Sequence, residues 1–302
     1  MSEPRTRFLV GGREQGRRLD RFLQEHLPKW SRTRIQQTIR ERVRLSWGVK
    51  ARPSTPVRAG GEILIDWEPP EEELLELEIP IVDRGPGWLA IDKPPGIPVH
   101  PVGNEFENTI VRMMRRQCGN EAITLVHRLD RETSGAMLLA SETAVAKVRA
   151  QAFLKDRVQK EYLAVVFGVP MEESGEIELP IGEAEESRVY TRRGIDEEGQ
   201  PSLTRWQLEA RYETRSLLRL FPKTGRRHQL RVHLEAIGHP ILGDILYGRS
   251  DTDYLRLAAG DGDARKEQPG PKRQLLHCAK LAFDDGLTIE VPPPADFAEA
   301  LR

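Results

Sequence analysis

An acidic, proline-studded stretch divides the chain and constrains its fold more than any other feature. Between Trp67 and Pro80, the residues Glu68, Glu71, Glu72, Glu73, Glu76 and Glu78 sit among Pro69, Pro70 and Pro80. Proline blocks helix and like charges repel, so residues 67–80 read as an extended, solvated linker. The stretch separates regions of opposite charge. Residues 1–66 hold 15 Lys+Arg against 7 Asp+Glu and residues 67–302 hold 31 against 40, so the overall charge of −1 conceals a basic module on an acidic body. The expected domains are therefore 1–66 and 81–302, joined by 67–80.

The basic module reads as a small α/β unit. Leu19, Phe22, Leu23, His26 and Leu27 recur at helical spacing, and Pro28 ends the run. Ser31 is the expected N-cap of a second helix that carries Ile35 and Ile39 inward. Arg32, Arg34 and Arg40 lie on that helix's other face. Val43, Leu45 and Trp47 alternate as a short strand, and Gly60-Gly61 turns the chain into Ile63-Leu64-Ile65.

The body alternates short strands with few helices, which predicts an α+β fold on a mixed or antiparallel sheet. Strands are expected at 89–91, 123–126, 136–140, 162–167, 205–212 and 217–221, with 287–291 closing the set. Ser141 is the expected cap of a helix to about residue 156, with Val145, Val148 and Ala152 inward. The polar stretch 249–274, rich in Gly and Pro, reads as a mobile loop.

Several classes are excluded on spacing. Lys223-Thr224 lacks the upstream glycine of a phosphate-cradling loop, and Ser134 lacks the glycine two residues before it that a nucleophile elbow requires. His228 and His233 are wrongly spaced for a metal pair, and Cys118 and Cys278 are too few for a disulfide scaffold or a four-cysteine zinc site. No run approaches the ~18–20 apolar residues of a membrane span. Glu3, Arg5 and Arg7 argue against a secretory leader. A cytoplasmic protein is expected, and dinucleotide and metal enzymes are disfavoured.

Three segments carry candidate chemistry. The first runs Lys93-Pro94-Pro95-Gly96-Ile97-Pro98-Val99-His100-Pro101, a proline-stiffened segment expected to present a rigid, loop-exposed Lys93 and His100, although taken alone it is at least as much a structural wall as a site. The second is His127-Arg128-Leu129-Asp130-Arg131-Glu132-Thr133-Ser134-Gly135. A loop aspartate is ordinarily a turn former or cap. Asp130, however, lies within two residues of Arg128 and Arg131, whose guanidinium groups would hold it ionised as a nucleophile or base must be. Glu132 is its competitor. The third is Thr224-Gly225-Arg226-Arg227-His228-Gln229-Leu230-Arg231-Val232-His233. After a turn at Gly225 its residues alternate as a charged strand would, and arginine suits phosphate and carboxylate through its planar fork.

In this order, over roughly residues 80–295, the three segments resemble the RluA family of pseudouridine synthases. His239-Pro240-Ile241-Leu242-Gly243-Asp244 extends the match. The basic module resembles, more loosely, the alpha-L RNA-binding module of ribosomal small-subunit protein four. The resemblance implies isomerisation of selected uridines in structured RNA without a metal or organic cofactor, with Asp130 as the catalytic carboxylate acting either on the ribose anomeric carbon or on a ribose proton. It further implies that Tyr162, in Lys160-Glu161-Tyr162, packs on the uracil or moves a proton. Arg231 is expected to pair with Asp130, and Arg128 to help expel the target nucleotide from its stack. Asp92, Pro95 and Arg227 depart from the family pattern without touching these positions. Arg32, Arg34 and Arg40 become expected RNA contacts. The expected partner is large-subunit ribosomal RNA, with transfer RNA open and no DNA or membrane partner, for a monomeric enzyme. A non-catalytic RNA-binding or ribosome-assembly protein is the alternative from a different class.

Overall fold

The computed structural model describes residues 6–27, 30, 32–66, 72–101, 105–189, 191–267 and 270–302, without the side chains of 33, 34, 265 and 267. Ser31, residues 67–71 and the Arg34 side chain thus lie outside the described residues. The chain forms two compact units, one comprising 1–75 with 101–108, the other 76–100 with 109–302.

The first unit packs two helices on a three-stranded antiparallel sheet. Its elements are β1 (Thr6–Leu9), α1 (Leu19–His26), α2 (Arg32–Arg42), β2 (Val43–Leu45) and β3 (Glu62–Ile65), with β3 central. The apolar spacing is realised: Leu19, Phe22, Leu23, Leu27, Ile35, Ile39, Ile63 and Ile65 are buried together. Phe106, from the 101–108 segment, joins this core. Part of the acidic stretch is held rather than only solvated. The Glu72 carboxylate accepts backbone N–H groups of Phe106, Glu107 and Asn108 at 2.7–3.2 Å.

The second unit is built on a ten-stranded mixed sheet. Its elements are β4 (Ile81–Gly85), β5 (Trp88–Lys93), α3 (Ile110–Cys118), β6 (Thr124–Leu125), β7 (Ser134–Ala140), α4 (Thr143–Leu154), β8 (Val158–Phe167), β9 (Ser174–Glu178), β10 (Ile181–Glu183), β11 (Arg193–Ile195), β12 (Leu203–Arg211), β13 (Arg215–Pro222), α5 (Gln229–Ala236), α6 (Asp251–Ala258), α7 (Gly262–Glu267), β14 (Leu276–Phe283), β15 (Thr288–Glu290) and α8 (Ala295–Ala300). The order across the sheet is β4-β5-β7-β14-β8-β13-β12-β9, with β6 beside β7 and β15 beside β14, while β10 and β11 pair separately. Among the described residues only β7 and β14 run parallel. The α+β expectation holds.

Four local readings differ. The central strand β14 was not expected, because Leu-His-Cys-Ala-Lys-Leu-Ala-Phe contains no β-branched residue. Residues 229–236 form helix α5 rather than an alternating strand, and six successive residues from Gln229 to Leu234 are buried. The 249–274 stretch is not a featureless loop. Ser250 caps α6 by accepting the Asp253 N–H at 3.1 Å, and α7 follows. Helix α4 begins after Glu142 without a side-chain cap, and Val148 is 66% exposed rather than inward.

Sheet order positions the site. The Asp130 loop leads into β7, Tyr162 lies on β8, and β13 leads into the turn before α5. These three strands, with β14 inserted between β7 and β8, are consecutive in the sheet. Gly135 makes the β7–β14 approach possible. It has φ +107°, and a Cβ there would stand 2.2 Å from the Cys278 carbonyl oxygen, so only glycine fits.

Candidate active site

Helix α5 is locked from its first residue. The Gln229 amide oxygen accepts from the Thr224 hydroxyl at 2.7 Å and the Arg226 N–H at 3.0 Å, while its nitrogen donates to Leu203 O and Thr204 Oγ1, both at 3.0 Å. All four hydrogen-bonding positions of this buried amide are used. One turn on, the His233 imidazole bonds Thr204 Oγ1 and Leu179 O at 2.9 and 3.0 Å. The third motif thus spends Thr224, Gln229 and His233 on fixing the helix, which aims Arg231 at the loop after β6.

Arg231 Nη1 donates to Asp130 Oδ2 at 3.0 Å. Its other two nitrogens grip Asp244, with Nε to Oδ2 at 2.6 Å and Nη2 to Oδ1 at 2.9 Å. The Asp244 side chain is wholly buried, and its Oδ1 also accepts the N–H groups of Leu246 and Tyr247. A bidentate pair of this kind fixes both position and orientation. Burial opposes the charge on Arg231, but two carboxylates outweigh it and raise the guanidinium's affinity for its proton.

Asp130 meets the same contest. Burial would raise its carboxyl, yet Arg231, through charge and hydrogen bond, and Arg128 hold it below the ordinary value. The charge that counts most comes from a residue 101 positions away rather than from the adjacent Arg131. Asp130 is therefore ionised at neutral pH, with its side chain 24% exposed to the cavity. Its competitor Glu132 does not line that cavity.

The cavity measures about 160 Å³ and is lined by Arg128, Asp130, Lys160, Tyr162, His228 and Arg231, among others. That is below the ~300–1,000 Å³ of typical small-molecule sites and suits a single base presented from a larger substrate. Half-buried Tyr162 stands opposite Cys278 of β14 in the strand register, and burial holds its phenol well above its usual range. It remains protonated at any working pH, which suits packing and hydrogen bonding better than proton shuttling. Arg128 is exposed at the rim and makes no hydrogen bond among the described residues.

The first motif supports the loop from behind. Lys93 is fully buried rather than loop-exposed, because its Nζ donates to the carbonyls of Pro94, Arg131 and Thr133 at 2.8–2.9 Å. Burial pushes its pKa down to about 7. A neutral amine has only two N–H groups, so three carbonyls at this distance require the ammonium form. Lys93 is thus a cationic tie across the loop that follows Asp130, and the proline-rich segment is in part the wall that its sequence allowed.

The structure brings Asp130, Arg231, Tyr162 and Arg128 together. Arg32 and Arg40 are exposed on α2 in the first unit. Lys93, Asp244, His228 and Tyr247 were not predicted as site residues. Asp244 lay within the matched His-Pro-Ile-Leu-Gly-Asp run, the one indication that could have singled it out. Among the described residues no cluster of three or more His, Cys, Asp or Glu is placed to hold a metal, and no helix is long and apolar enough to cross a membrane.

Comparisons with known proteins show the family. The family model described as RNA pseudouridylate synthase matches residues 87–236. A ribosomal large subunit pseudouridine synthase D of Vibrio parahaemolyticus is 30% identical, across 95% of this chain and 91% of its own length. One of the same name from Xanthomonas campestris is 32% identical, across 93% and 87%. The solved human RNA pseudouridylate synthase domain containing 1 superposes with a TM-score of 0.60 at 28% identity, covering 77% of this chain and 89% of that one. With the second and third motifs lining one cavity, the first tied in behind it, and relatives matched along nearly their whole length, the chain belongs to the RNA pseudouridylate synthase family.

Proposed function

We propose that this chain converts selected uridines of large-subunit ribosomal RNA to pseudouridine, with Asp130 as the catalytic carboxylate. The observation that supports this most is the ionised Asp130, held by Arg231 in a cavity sized for one base. An ionised carboxylate can attack the ribose anomeric carbon or take a ribose proton. Either way the base detaches, turns and rejoins through carbon 5 with no net hydrolysis, so no second carboxyl or activated water is needed. Tyr162 would pack on the uracil. Arg128 at the rim would help expel the target nucleotide from its stack, which costs about a few kcal/mol. The relatives' names favour ribosomal RNA of the large subunit. The basic first unit, with Arg32, Arg34 and Arg40, would supply phosphate contacts as an RNA handle.

The test maps pseudouridines in cellular RNA with and without the gene, then restores either the wild-type or the Asp130→Asn protein. We expect sites in large-subunit RNA to vanish, to return with wild type, and to stay absent with Asp130→Asn. Return with Asp130→Asn would overturn the catalytic assignment, and loss confined to transfer RNA would overturn the substrate.

A further inference from the structure

His228 shares the cavity with Asp130, and no step above uses it. It precedes α5 with φ +59° and ψ 17°, a left-handed conformation that costs a non-glycine residue on the order of 1 kcal/mol. This backbone carries its ring between two partners. Nδ1 lies 2.8 Å from the Tyr247 hydroxyl, and Nε2 lies 4.0 Å from Asp130 Oδ2.

Proton accounting fixes the tautomer. The Tyr247 oxygen accepts the Arg193 backbone N–H at 3.0 Å, and an amide hydrogen can only be donated. Tyr247 is 1% exposed, so its own hydroxyl hydrogen needs a protein acceptor. The remaining bond shown for that hydroxyl runs to His228 Nδ1. Nδ1 is therefore the acceptor, and the ring's hydrogen sits on Nε2, facing the space beside the Asp130 carboxylate. Burial, aided by Arg231 and Arg227, pushes the imidazole down to about 3 against the pull of Asp130 and Asp244. It is neutral at working pH, so the 4.0 Å approach to Asp130 is not an ion pair.

Building on the reading of Asp130 as the catalytic carboxylate, we propose that His228 is a further catalytic residue, whose Nε2–H donates a hydrogen bond to a carbonyl oxygen of the bound uracil. As the N1–C1′ bond breaks, its electron pair passes into the ring and negative charge grows on the carbonyl oxygens. A fixed neutral donor stabilises that charge without giving up its proton and without neutralising Asp130. Tyr247 is the positioning residue that selects the tautomer. The donor stands close to the carboxylate but beyond hydrogen-bond reach of it, which leaves its hydrogen available to substrate.

Two measurements decide it. In the full-length protein labelled with 15N-histidine, NMR at neutral pH should show His228 as the Nε2–H tautomer, and Tyr247→Phe should abolish that preference. An Nδ1–H tautomer or an imidazolium in the wild type overturns the proposal without touching the assignment of Asp130. In single-turnover assays on ribosomal RNA from a strain lacking the gene, His228→Phe should lower the rate about 10²–10³-fold, the cost of losing one donor to a developing anion. His228→Gln, which keeps an N–H at similar reach, should recover much of it. A His228→Phe protein as fast as wild type, beside an inactive Asp130→Asn, refutes the role of His228 alone. An active Asp130→Asn instead refutes the underlying reading.

Discussion

The two units handle positive charge in opposite ways. In the first, Arg32 and Arg40 stand exposed on α2, next to an apolar core that contains none of them. In the second, Lys93 and Arg231 are buried, and the ammonium of one and all three guanidinium nitrogens of the other are aimed at named oxygens. An exposed arginine is cheap, screened by salt and tolerant of position. A buried one must be compensated, and once compensated it fixes geometry to a fraction of an ångström. Exposed charge suits recruitment of a polyanion, and buried charge suits the arrangement of a reacting centre.

The contrast breaks hardest at the cavity. With Asp130 as the proposed catalytic carboxylate, Asp130→Asn should lower single-turnover rates by at least about 10³-fold. A variant that still unfolds cooperatively well above the assay temperature, with its Arg231 pairing weakened, would keep that loss chemical. Asp244→Asn should come next. It leaves the buried Arg231 with one carboxylate instead of two, and we expect a loss of about 3 kcal/mol in denaturant unfolding together with a lower rate, since Arg231 is no longer held on both sides. Stability like wild type would mean that Asp130 alone satisfies the guanidinium. Lys93→Met should cost about 2–3 kcal/mol, because carbonyls of Pro94, Arg131 and Thr133 lose a shared donor.

Replacing Arg32 and Arg40 together by Gln probes the other side. If both contact phosphate, the slope of log affinity for ribosomal RNA against log salt should fall by roughly 1.8, with little change in stability. An unchanged slope would remove α2 from the RNA surface. The smallest effect is in the acid limb. The folded Asp130 pKa lies below its unfolded value near ~3.9. Its contribution to stability is thus present above that value and is lost as pH falls through the folded pKa. The activity limb should likewise lie below about 3.9, and a limb at or above that value would show that Arg231 does not hold the carboxylate in solution.

Much of the first unit was readable in advance, because helical spacing at Leu19, Phe22 and Leu23 and alternation at Ile63 and Ile65 are local patterns that burial directly rewards. The motif residues Asp130, Tyr162, Arg128 and Arg231 were also readable, by family likeness rather than periodicity. Local reading failed where the tertiary structure supplies the environment. Residues 227–232 alternate as a strand would, yet His228 turns left-handed and the next residues coil into a buried helix. Strand β14 carries no strand-forming bias of its own. It takes the centre of the sheet because β7 and β8 bracket it, with Gly135 and Tyr162 both in register with Cys278.

The sequence by itself determined the division of charge, the small unit's core and which residues are available for chemistry. Only the tertiary structure decided which charge answers which. Asp130 is held by Arg231 rather than by Arg131, and Arg231 is held in turn by Asp244, because electrostatic partners are chosen by distance through space in a poorly screened interior. Spacing along the chain carries no record of that distance.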